Sequence, residues 1–266
     1  MDLELKGKAA IVTGGNRGIG KAIARQLARE GVNVALIARD ITALAAAAAE
    51  ISRESGGKVL HMSADTGDDA AVKKAVAEVA SAFGRIDILV NCAAQPGGQG
   101  KPPALGEITN EHFWADMNVK VMGYLRTARE VAPHMIKQKS GRIINVSGLA
   151  ARSTGTIIGS MRNVAVAALT KNLADELSPH GIAAVCVHPG LTRTEKTPGV
   201  VAAQAKAQGV PEAEIEKRMA GRNLAKRLIT AEDIANVVVF LASPKAIALN
   251  GDVIPAAGGS PGVIYY

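Results

Sequence analysis

The chain has 266 residues, of which 48% are apolar and only 3% aromatic. This length suffices for one α/β domain over residues 1–266 with a single sizeable core. The abundance of Ala, Val, Ile and Leu suits small-residue helices packed on a buried parallel sheet. So few aromatic side chains are poor material for stacking nucleic-acid bases, which argues against a nucleic-acid partner.

The net charge of +7 and the isoelectric point near 9.5 do not by themselves identify a partner. Basic residues form loose groups over 126–142 and 217–227, interleaved with apolar residues at helical spacing. This pattern favours solvated helix faces over a nucleic-acid surface. An anionic dinucleotide cofactor or an acidic substrate would account equally well for the mild positive bias.

The first residues of the chain include acids and no long apolar stretch, so we expect no signal peptide. No run approaches the ~18 apolar residues of a membrane span. Cys92 and Cys186 end apolar, strand-like runs and lack metal-ligand spacing, which favours buried packing over a disulfide or a metal site. We therefore expect a cytoplasmic protein without a metal or a membrane partner.

Short apolar runs alternate with amphipathic stretches along the chain, a pattern typical of βαβ units. The predicted strands span residues 9–13, 32–38, 58–62, 86–91, 142–147, 182–188 and 252–255. The predicted helices span residues 18–30, 41–54, 68–83, 109–138, 157–178, 196–220 and 231–242. Two loops follow strand ends, a Gly- and Pro-rich one at 95–103 and a partly helical, polar one at 191–221. Because ligands bind beyond the carboxyl ends of strands in an open parallel sheet, both loops are predicted to border a ligand site.

A glycine-rich turn joins the first predicted strand to the first predicted helix, with Thr13 followed by Gly14, Gly18 and Gly20. Glycine at these positions lets the backbone approach a pyrophosphate, and the helix N-terminus supplies free N–H groups and a partial positive charge. A glycine triplet alone is also typical of a structural turn. The strand–turn–helix context favours dinucleotide binding.

The residue after the second predicted strand indicates which dinucleotide binds. An enzyme that prefers NAD places an acid there to bind the ribose 2′-hydroxyl, whereas here the strand is followed by Arg39. A guanidinium binds a 2′-phosphate well, and Arg17 of the glycine turn could reach the same group. Asp40 complicates this interpretation, unless it caps the next helix instead. We predict NADP(H) in preference to NAD(H), with a solvated Arg39 as the alternative.

The spacing Thr-Gly-x-x-x-Gly-x-Gly resembles that of the short-chain dehydrogenase/reductase family, and the resemblance extends almost from end to end. Further matches, in chain order, are Asp65, 91–94, Asn118, Ser147, 189–194, 240–243 and 258–259. The resemblance implies a Rossmann-type doubly wound parallel sheet of about seven strands with helices on both faces. It also implies an oxidoreductase that acts on a small molecule and assembles as a homodimer or homotetramer.

The glycine turn, the arginine after the second strand and the family matches together predict a set of cofactor-binding residues. These are Gly14, Asn16, Arg17, Gly18, Ile19, Gly20, Arg39, Asp65, Thr66, Asn91, Ala93, Asn163, Pro189, Gly190, Thr192 and Thr194. For catalysis, the resemblance implies that Ser147 positions the substrate and that Asn118 takes part in a proton relay.

One motif of the family is missing. The family's helix after Ser147 carries Tyr-x-x-x-Lys, an acid/base tyrosine and the lysine that tunes it, but Gly159 and Asn163 occupy those positions here. The match of residues 169–174 to the continuation of the same helix fixes this register. Positioned acid/base catalysis is typically worth ~10²–10⁴-fold, so an enzyme of this sequence must transfer its proton in another way.

No other residue is a clear replacement for the pair. Arg162 could stabilise a developing oxyanion, although a solvated surface arginine is the favoured interpretation. His188 ends a strand near the expected nicotinamide and has a suitable pKa range. The apolar tail over 260–266 is expected to dock on a neighbour or close a site, where Tyr265 or Tyr266 would offer a phenol.

Three functions stay open on the sequence. The first is an NADP(H)-dependent oxidoreductase of a small carbonyl or alcohol with non-standard proton transfer, motivated by the retained Asp65, Asn118, Ser147 and Pro189-Gly190. The second is a non-redox lyase or isomerase on the same fold. The third is a catalytically inactive nucleotide-binding pseudoenzyme. The exchange of both redox helpers for Gly159 and Asn163 motivates the last two.

Overall fold

The computed structural model describes residues 1–95 and 103–264, and its centre is a seven-stranded parallel sheet. The strands are β1 (Ala9–Thr13), β2 (Asn33–Ala38), β3 (Val59–Ser63), β4 (Ile88–Asn91), β5 (Gly141–Val146), β6 (Ile182–Pro189), β7 (Thr192–Arg193), β8 (Ile229–Thr230) and β9 (Val253–Ala256). The sheet has the order β3-β2-β1-β4-β5-β6-β9, while β7 and β8 form a separate short parallel pair. The seven predicted strands are confirmed, with ends that differ by one or two residues; the short pair was not predicted.

Nine α-helices surround the sheet within the described ranges. They are α1 (Gly18–Arg29), α2 (Ile41–Ser55), α3 (Asp69–Phe83), α4 (Asn110–Met117), α5 (Gly123–Gln138), α6 (Ile157–Leu177), α7 (Thr197–Gln208), α8 (Glu212–Ala220) and α9 (Ala231–Ala242). None of them is long and apolar enough to cross a lipid bilayer.

Two predicted helices are wrong in detail. The helix predicted at 109–138 is α4 and α5, joined by one π-helical turn at Asn118–Met122. The helix predicted at 196–220 is α7 and α8, because Gly209 ends α7 in the left-handed conformation and Pro211, in an extended conformation, directly precedes α8. Gly and Pro two residues apart are a helix-stop signal that the apolar periodicity concealed.

Successive strand residues serve two cores, one on each face of the sheet. In β1, Val12 packs in the core that includes Leu27 of α1 and Val238 of α9. Its neighbour Ile11 packs in the opposite core with Val79 of α3. Side chains that alternate between two covered faces explain why the strands read as continuous apolar runs. The doubly wound sheet with helices on both faces is therefore confirmed.

The sheet order reverses next to β1, which pairs with β2 on one side and β4 on the other. In an open α/β sheet, the crevice at such a reversal binds the ligand. At the carboxyl end of β1, the Thr13 hydroxyl accepts the backbone N–H groups of Cys92 (3.0 Å) and Ala93 (3.2 Å). These two bonds hold together the chain segments that leave β1 and β4, and so position the start of the crevice.

Two predicted features lie outside the described residues. These are residues 96–102 of the Gly- and Pro-rich loop and the tail tyrosines Tyr265 and Tyr266.

Candidate active site

A cleft of about 1170 Å³ opens at the carboxyl ends of the strands and runs from the glycine turn to Ser147 and the start of α6. Most of the predicted site residues line it. Those are Gly14, Asn16, Arg17, Gly18, Ile19, Gly20, Arg39, Asp65, Thr66, Ala93, Ser147, Gly159, Arg162, Asn163, Pro189, Gly190, Thr192 and Thr194. The structure thus brings the predicted nucleotide end and the predicted catalytic end into one space.

The glycine turn is tightly packed against α1. A Cβ atom at Gly20 would lie 2.3 Å from the carbonyl oxygen of Gly14, and one at Gly14 would lie 3.0 Å from the Ala93 backbone. Neither position therefore accepts a side chain. The backbone N–H of Gly18, the first residue of α1, donates to the Glu195 carboxylate at 3.2 Å. An oxygen anion already occupies a donor of the helix N-terminus, as a pyrophosphate oxygen would.

The acid next to Arg39 serves the fold. Asp40 is the N-cap of α2, and its carboxylate accepts the backbone N–H of Ala43 at 3.0 Å. Arg39 is 62% exposed at the side chain, and its guanidinium has one distant ionic contact, at 4.0 Å, with Asp65. The cationic group at this end of the cleft is therefore accessible to a ligand.

At the other end of the cleft, Ser147 and Asn163 lie in contact. The Ser147 hydroxyl donates to Asn163, which offers two acceptors: its carbonyl oxygen at 3.0 Å and Oδ1 at 3.2 Å. Gly159 precedes Asn163 by one turn of α6, so the two positions share a helix face. The Thr156 hydroxyl caps this helix by accepting the Gly159 N–H at 2.9 Å.

Lys120 completes this group, and the sequence reasoning missed it. Its ammonium donates to the Ser147 carbonyl oxygen and to Asn163 Oδ1, each at 2.9 Å. The residue is only 3% exposed. Burial, reinforced by the nearby Arg162 charge, lowers the pKa of Lys120 to about 7. A lone lysine between Val119 and Val121 in a helix was the available signal, because buried lysines are rare without a partner.

Lys120 is the central residue of the π-helical turn. Two carbonyl oxygens of the turn also accept bonds from outside it: Arg126 Nη1 donates to the Asn118 carbonyl (3.1 Å) and the Thr66 hydroxyl to the Val119 carbonyl (3.2 Å). Arg126 also donates to the Thr66 carbonyl at 3.2 Å, which ties the turn to the segment after β3. Turns of this kind are frequent at functional sites.

Asn118 does not reach the predicted relay. Its side-chain amide donates to the Gly67 carbonyl at 3.2 Å, on the nucleotide side of the turn, and it does not line the cleft. Asn118 and Lys120 are two residues apart in the helical chain, so their side chains point in different directions. The structure therefore joins Lys120, and not Asn118, to Ser147.

The interpretation of Arg162 as a solvated surface residue was wrong. Arg162 is buried, lines the cleft and forms an ion pair with Asp116 of α4. Its Nη1 also donates to the Gln95 carbonyl at 3.4 Å. The ion pair offsets the guanidinium charge, which reduces the capacity of Arg162 to stabilise a second anion.

His188 and Asn91 are likewise buried away from the cleft. His188 is 1% exposed, and neither ring nitrogen has a hydrogen-bond partner among the described residues. Burial lowers the pKa of His188 to about 4, so the ring is neutral near pH 7. Asn91 donates to Asn145 (2.9 Å) and accepts from Thr127 (2.6 Å), which makes it part of an interior network. The structure thus supports neither a proton-transfer role for His188 nor a direct cofactor contact for the Asn91 side chain.

Comparison with known proteins agrees with this arrangement. A family profile described as short chain dehydrogenase matches residues 8–205. The short-chain reductase protein NovJ of Streptomyces niveus is 35% identical over 253 residues, covering 95% of this chain and 93% of that protein. Sorbitol dehydrogenase of Cereibacter sphaeroides is 33% identical over 261 residues, covering 97% and 99%.

A solved structure resembles the whole fold. L-Sorbose reductase from Gluconobacter frateurii, complexed with NADPH and L-sorbose, superposes with a TM-score of 0.90 at 30% identity. The match covers 99% of this chain and 100% of the reductase. With its doubly wound sheet and its glycine turn at the head of a single cleft, the chain belongs to the short-chain dehydrogenase family of NAD(P)-dependent oxidoreductases.

Proposed function

We propose that this protein is an NADP(H)-dependent oxidoreductase that interconverts a small carbonyl compound and its alcohol without a Tyr-x-x-x-Lys pair. The observation that carries the proposal is the single cleft that joins the glycine turn, Arg39 and Ser147. The similarity to a reductase complexed with NADPH and L-sorbose supports both the cofactor and a small polar substrate.

The residues of the nucleotide end fit NADP(H). Gly14 and Gly20 permit the tight turn before α1, because a Cβ atom at either position would strike the chain's own backbone, and the turn places the start of α1 where a pyrophosphate can bind. Arg39 and Arg17 both line the cleft and offer guanidinium groups to a 2′-phosphate. The Asp40 carboxylate caps α2. It is therefore not available to bind the ribose 2′-hydroxyl, as the acid of an NAD-preferring enzyme would.

The chemistry divides between the cofactor and the chain. When bound, NADPH supplies a hydride to the carbonyl carbon. The Ser147 hydroxyl carries a single proton, which it donates to Asn163 in the free protein and would donate to the substrate oxygen once a carbonyl compound binds. Gly159 presents no acid, so the proton of the product alcohol is not delivered from that position. We propose that Gly159 instead leaves room for part of the substrate or for a water molecule.

A direct assay tests this function. The purified protein is mixed with NADPH and a panel of small ketones, aldehydes and ketoses, and nicotinamide absorbance and NADPH binding are followed together. We expect NADPH binding and turnover of at least one carbonyl, with roughly 10²-fold slower turnover in Ser147→Ala, because a hydrogen-bond donor to the reacting oxygen is lost. Tight NADPH binding without turnover of any carbonyl would overturn the proposal.

Arg39 is expected to set the cofactor preference. Charge-assisted hydrogen bonds contribute about 1.5–3 kcal/mol, so Arg39→Ala should weaken NADPH binding by roughly tenfold to a hundredfold. NADH binding should change little, because it lacks the 2′-phosphate. Dissociation constants for both nucleotides measure this, with Arg53→Ala on the exposed side of α2 as the matched control. Equal losses for the two nucleotides would contradict the assignment.

A further inference from the structure

Lys120 is a buried cation that has no role in the reaction as proposed above. Its two hydrogen-bond acceptors, the Ser147 carbonyl oxygen and Asn163 Oδ1, are both neutral. No carboxylate from residues 1–95 or 103–264 forms an ion pair with it. Burying an ammonium without a counter-ion is costly, so its place in the wall of the cleft requires another explanation than stability.

Lys120 is connected to the Ser147 hydroxyl through one atom. Asn163 Oδ1 lies 2.9 Å from Lys120 Nζ and 3.2 Å from Ser147 Oγ. The backbone of Ser147 is held by the same ammonium, through its carbonyl oxygen at 2.9 Å. The lysine therefore fixes the position of Ser147 from one side and, from the other, holds Asn163 Oδ1, which accepts the hydroxyl proton until a substrate oxygen replaces it.

We propose that Lys120 is a positioning residue that orients Ser147 through Asn163 and supplies the positive charge of the catalytic end of the cleft. The inference rests on the proposed carbonyl reduction. In that reaction the carbonyl carbon gains a hydride from NADPH, the π electrons move to oxygen, and the resulting alkoxide takes a proton from solvent water. The charge of Lys120 stabilises the alkoxide while it is bound to the Ser147 hydroxyl, because attraction between charges is stronger in a site with little water.

The groups around Lys120 determine when it carries its charge. Burial and then the charge of Arg162 of α6 oppose protonation of Lys120, while Asp116 of α4, which is paired with Arg162, favours it. The thiols of Cys92 and Cys186 stay neutral near pH 7, because burial raises the pKa of each to about 11. The pKa of Lys120 is about 7, so the positive charge is present below that pH and is lost above it. Carbonyl reduction should slow as the pH rises through this value.

The experiment compares four proteins: wild type, Lys120→Met, Asn163→Lys and the double variant. We measure kcat and KM for carbonyl reduction with NADPH from acidic to alkaline pH. Lys120→Met should lower kcat roughly 10²-fold below pH 7 and abolish the decline near pH 7, because the titrating charge is gone. The double variant places the ammonium at position 163, which contacts Lys120 at 2.9 Å in the wild type. Its kcat should recover at least about half of the logarithmic loss, or roughly tenfold. Asn163→Lys alone places two ammonium groups in contact and should lower kcat.

Two further measurements separate this role from a structural one. The dissociation constant for NADPH, measured by fluorescence, should change less than about threefold in Lys120→Met, because the lysine acts on Ser147 and not on the nucleotide phosphates. In protein labelled with ¹³C-lysine, one NMR signal should titrate near pH 7 and disappear in Lys120→Arg and Lys120→Met. Lys171→Met, on the exposed face of α6, is the matched control and should retain the wild-type profile.

The outcomes distinguish the inference from the function on which it depends. Wild-type protein without turnover at any pH would overturn the carbonyl reduction and the inference together. Turnover in Lys120→Met with an unchanged decline near pH 7, or no recovery in the double variant, would overturn the inference alone. Circular dichroism checks that each variant is folded, and Lys120→Gln replaces Lys120→Met where the latter is not.

Discussion

Gly159→Tyr combined with Thr156→Ala is expected to raise kcat/KM for carbonyl reduction by about 10²–10⁴-fold, the usual contribution of a positioned acid/base. Gly159 lines the cleft one helical turn before Asn163, whose side chain contacts Ser147. A side chain at position 159 therefore projects over the same face of α6. The phenol would reach the substrate oxygen that Ser147 binds and would supply its proton.

The second substitution is necessary because of the helix cap. A Cβ atom at Gly159 would lie 2.3 Å from the Thr156 hydroxyl oxygen, which accepts the Gly159 N–H. Removing this hydroxyl clears the space, at a cost of about 1 kcal/mol of cap stability. Lys120 stays in place, since it already supplies a cation beside Asn163. Adding Asn163→Lys should then reduce the gain, because the two ammonium groups would repel each other.

The controls isolate the phenol hydroxyl. Gly159→Phe with Thr156→Ala fills the same space without an acid and should show no gain, and Thr156→Ala alone should stay near wild type. Steady-state assays with NADPH measure all three variants. An equal effect of Phe and Tyr would show that the pocket at Gly159 responds to shape, in which case acid/base chemistry is not what limits the enzyme.

Lys120→Met is expected to remove a pH dependence of stability. Folding lowers the pKa of Lys120 from its ordinary 10.5 to about 7, mainly through burial. Between these values the unfolded chain binds one more proton than the folded chain, so the free energy of unfolding rises with pH by up to about 1.4 kcal/mol per unit. Below pH 7 both states carry the charge and this slope vanishes, while the full penalty of the buried charge remains.

The sign of the effect follows from that balance. Relative to wild type, Lys120→Met should be most stabilised at neutral and acid pH, and its advantage should shrink as the pH rises toward 10. Urea unfolding at several pH values measures the difference, and Lys171→Met should show no such trend because that lysine is exposed and paired with Asp175. A difference between Lys120→Met and wild type that stays constant with pH would contradict the prediction.

The sheet and the nucleotide end could be predicted because their signals are local. Buried parallel strands read as apolar runs, and Gly14 and Gly20 are required by contacts within the same strand–turn–helix unit. The capping role of Asp40 was one of the two interpretations that the sequence offered, because its position directly before α2 is also a local feature. Those parts of the fold follow from residues that are near one another in the chain.

The catalytic end could be predicted only in part, because it depends on contacts between distant segments. Lys120 contacts Asn163, 43 residues further along the chain, from within the π turn at Asn118–Met122. The apolar periodicity of the sequence does not reveal this turn, whose Asn118 carbonyl oxygen accepts a bond from Arg126. Arg162 was misjudged for the same reason, since its burial depends on Asp116 of another helix.

The contact between Glu195 and the first N–H of α1 bears on how the cofactor enters. The carboxylate and an incoming pyrophosphate require the same donor, so the chain contains its own competitor for the nucleotide. Glu195 precedes α7, and residues of that segment, including Thr197 and Val200, line the cleft. A pyrophosphate bound at this N–H would displace Glu195, so loading of the nucleotide would be coupled to movement at the start of a segment that lines the cleft. This coupling favours an ordered reaction in which the dinucleotide binds before the carbonyl compound.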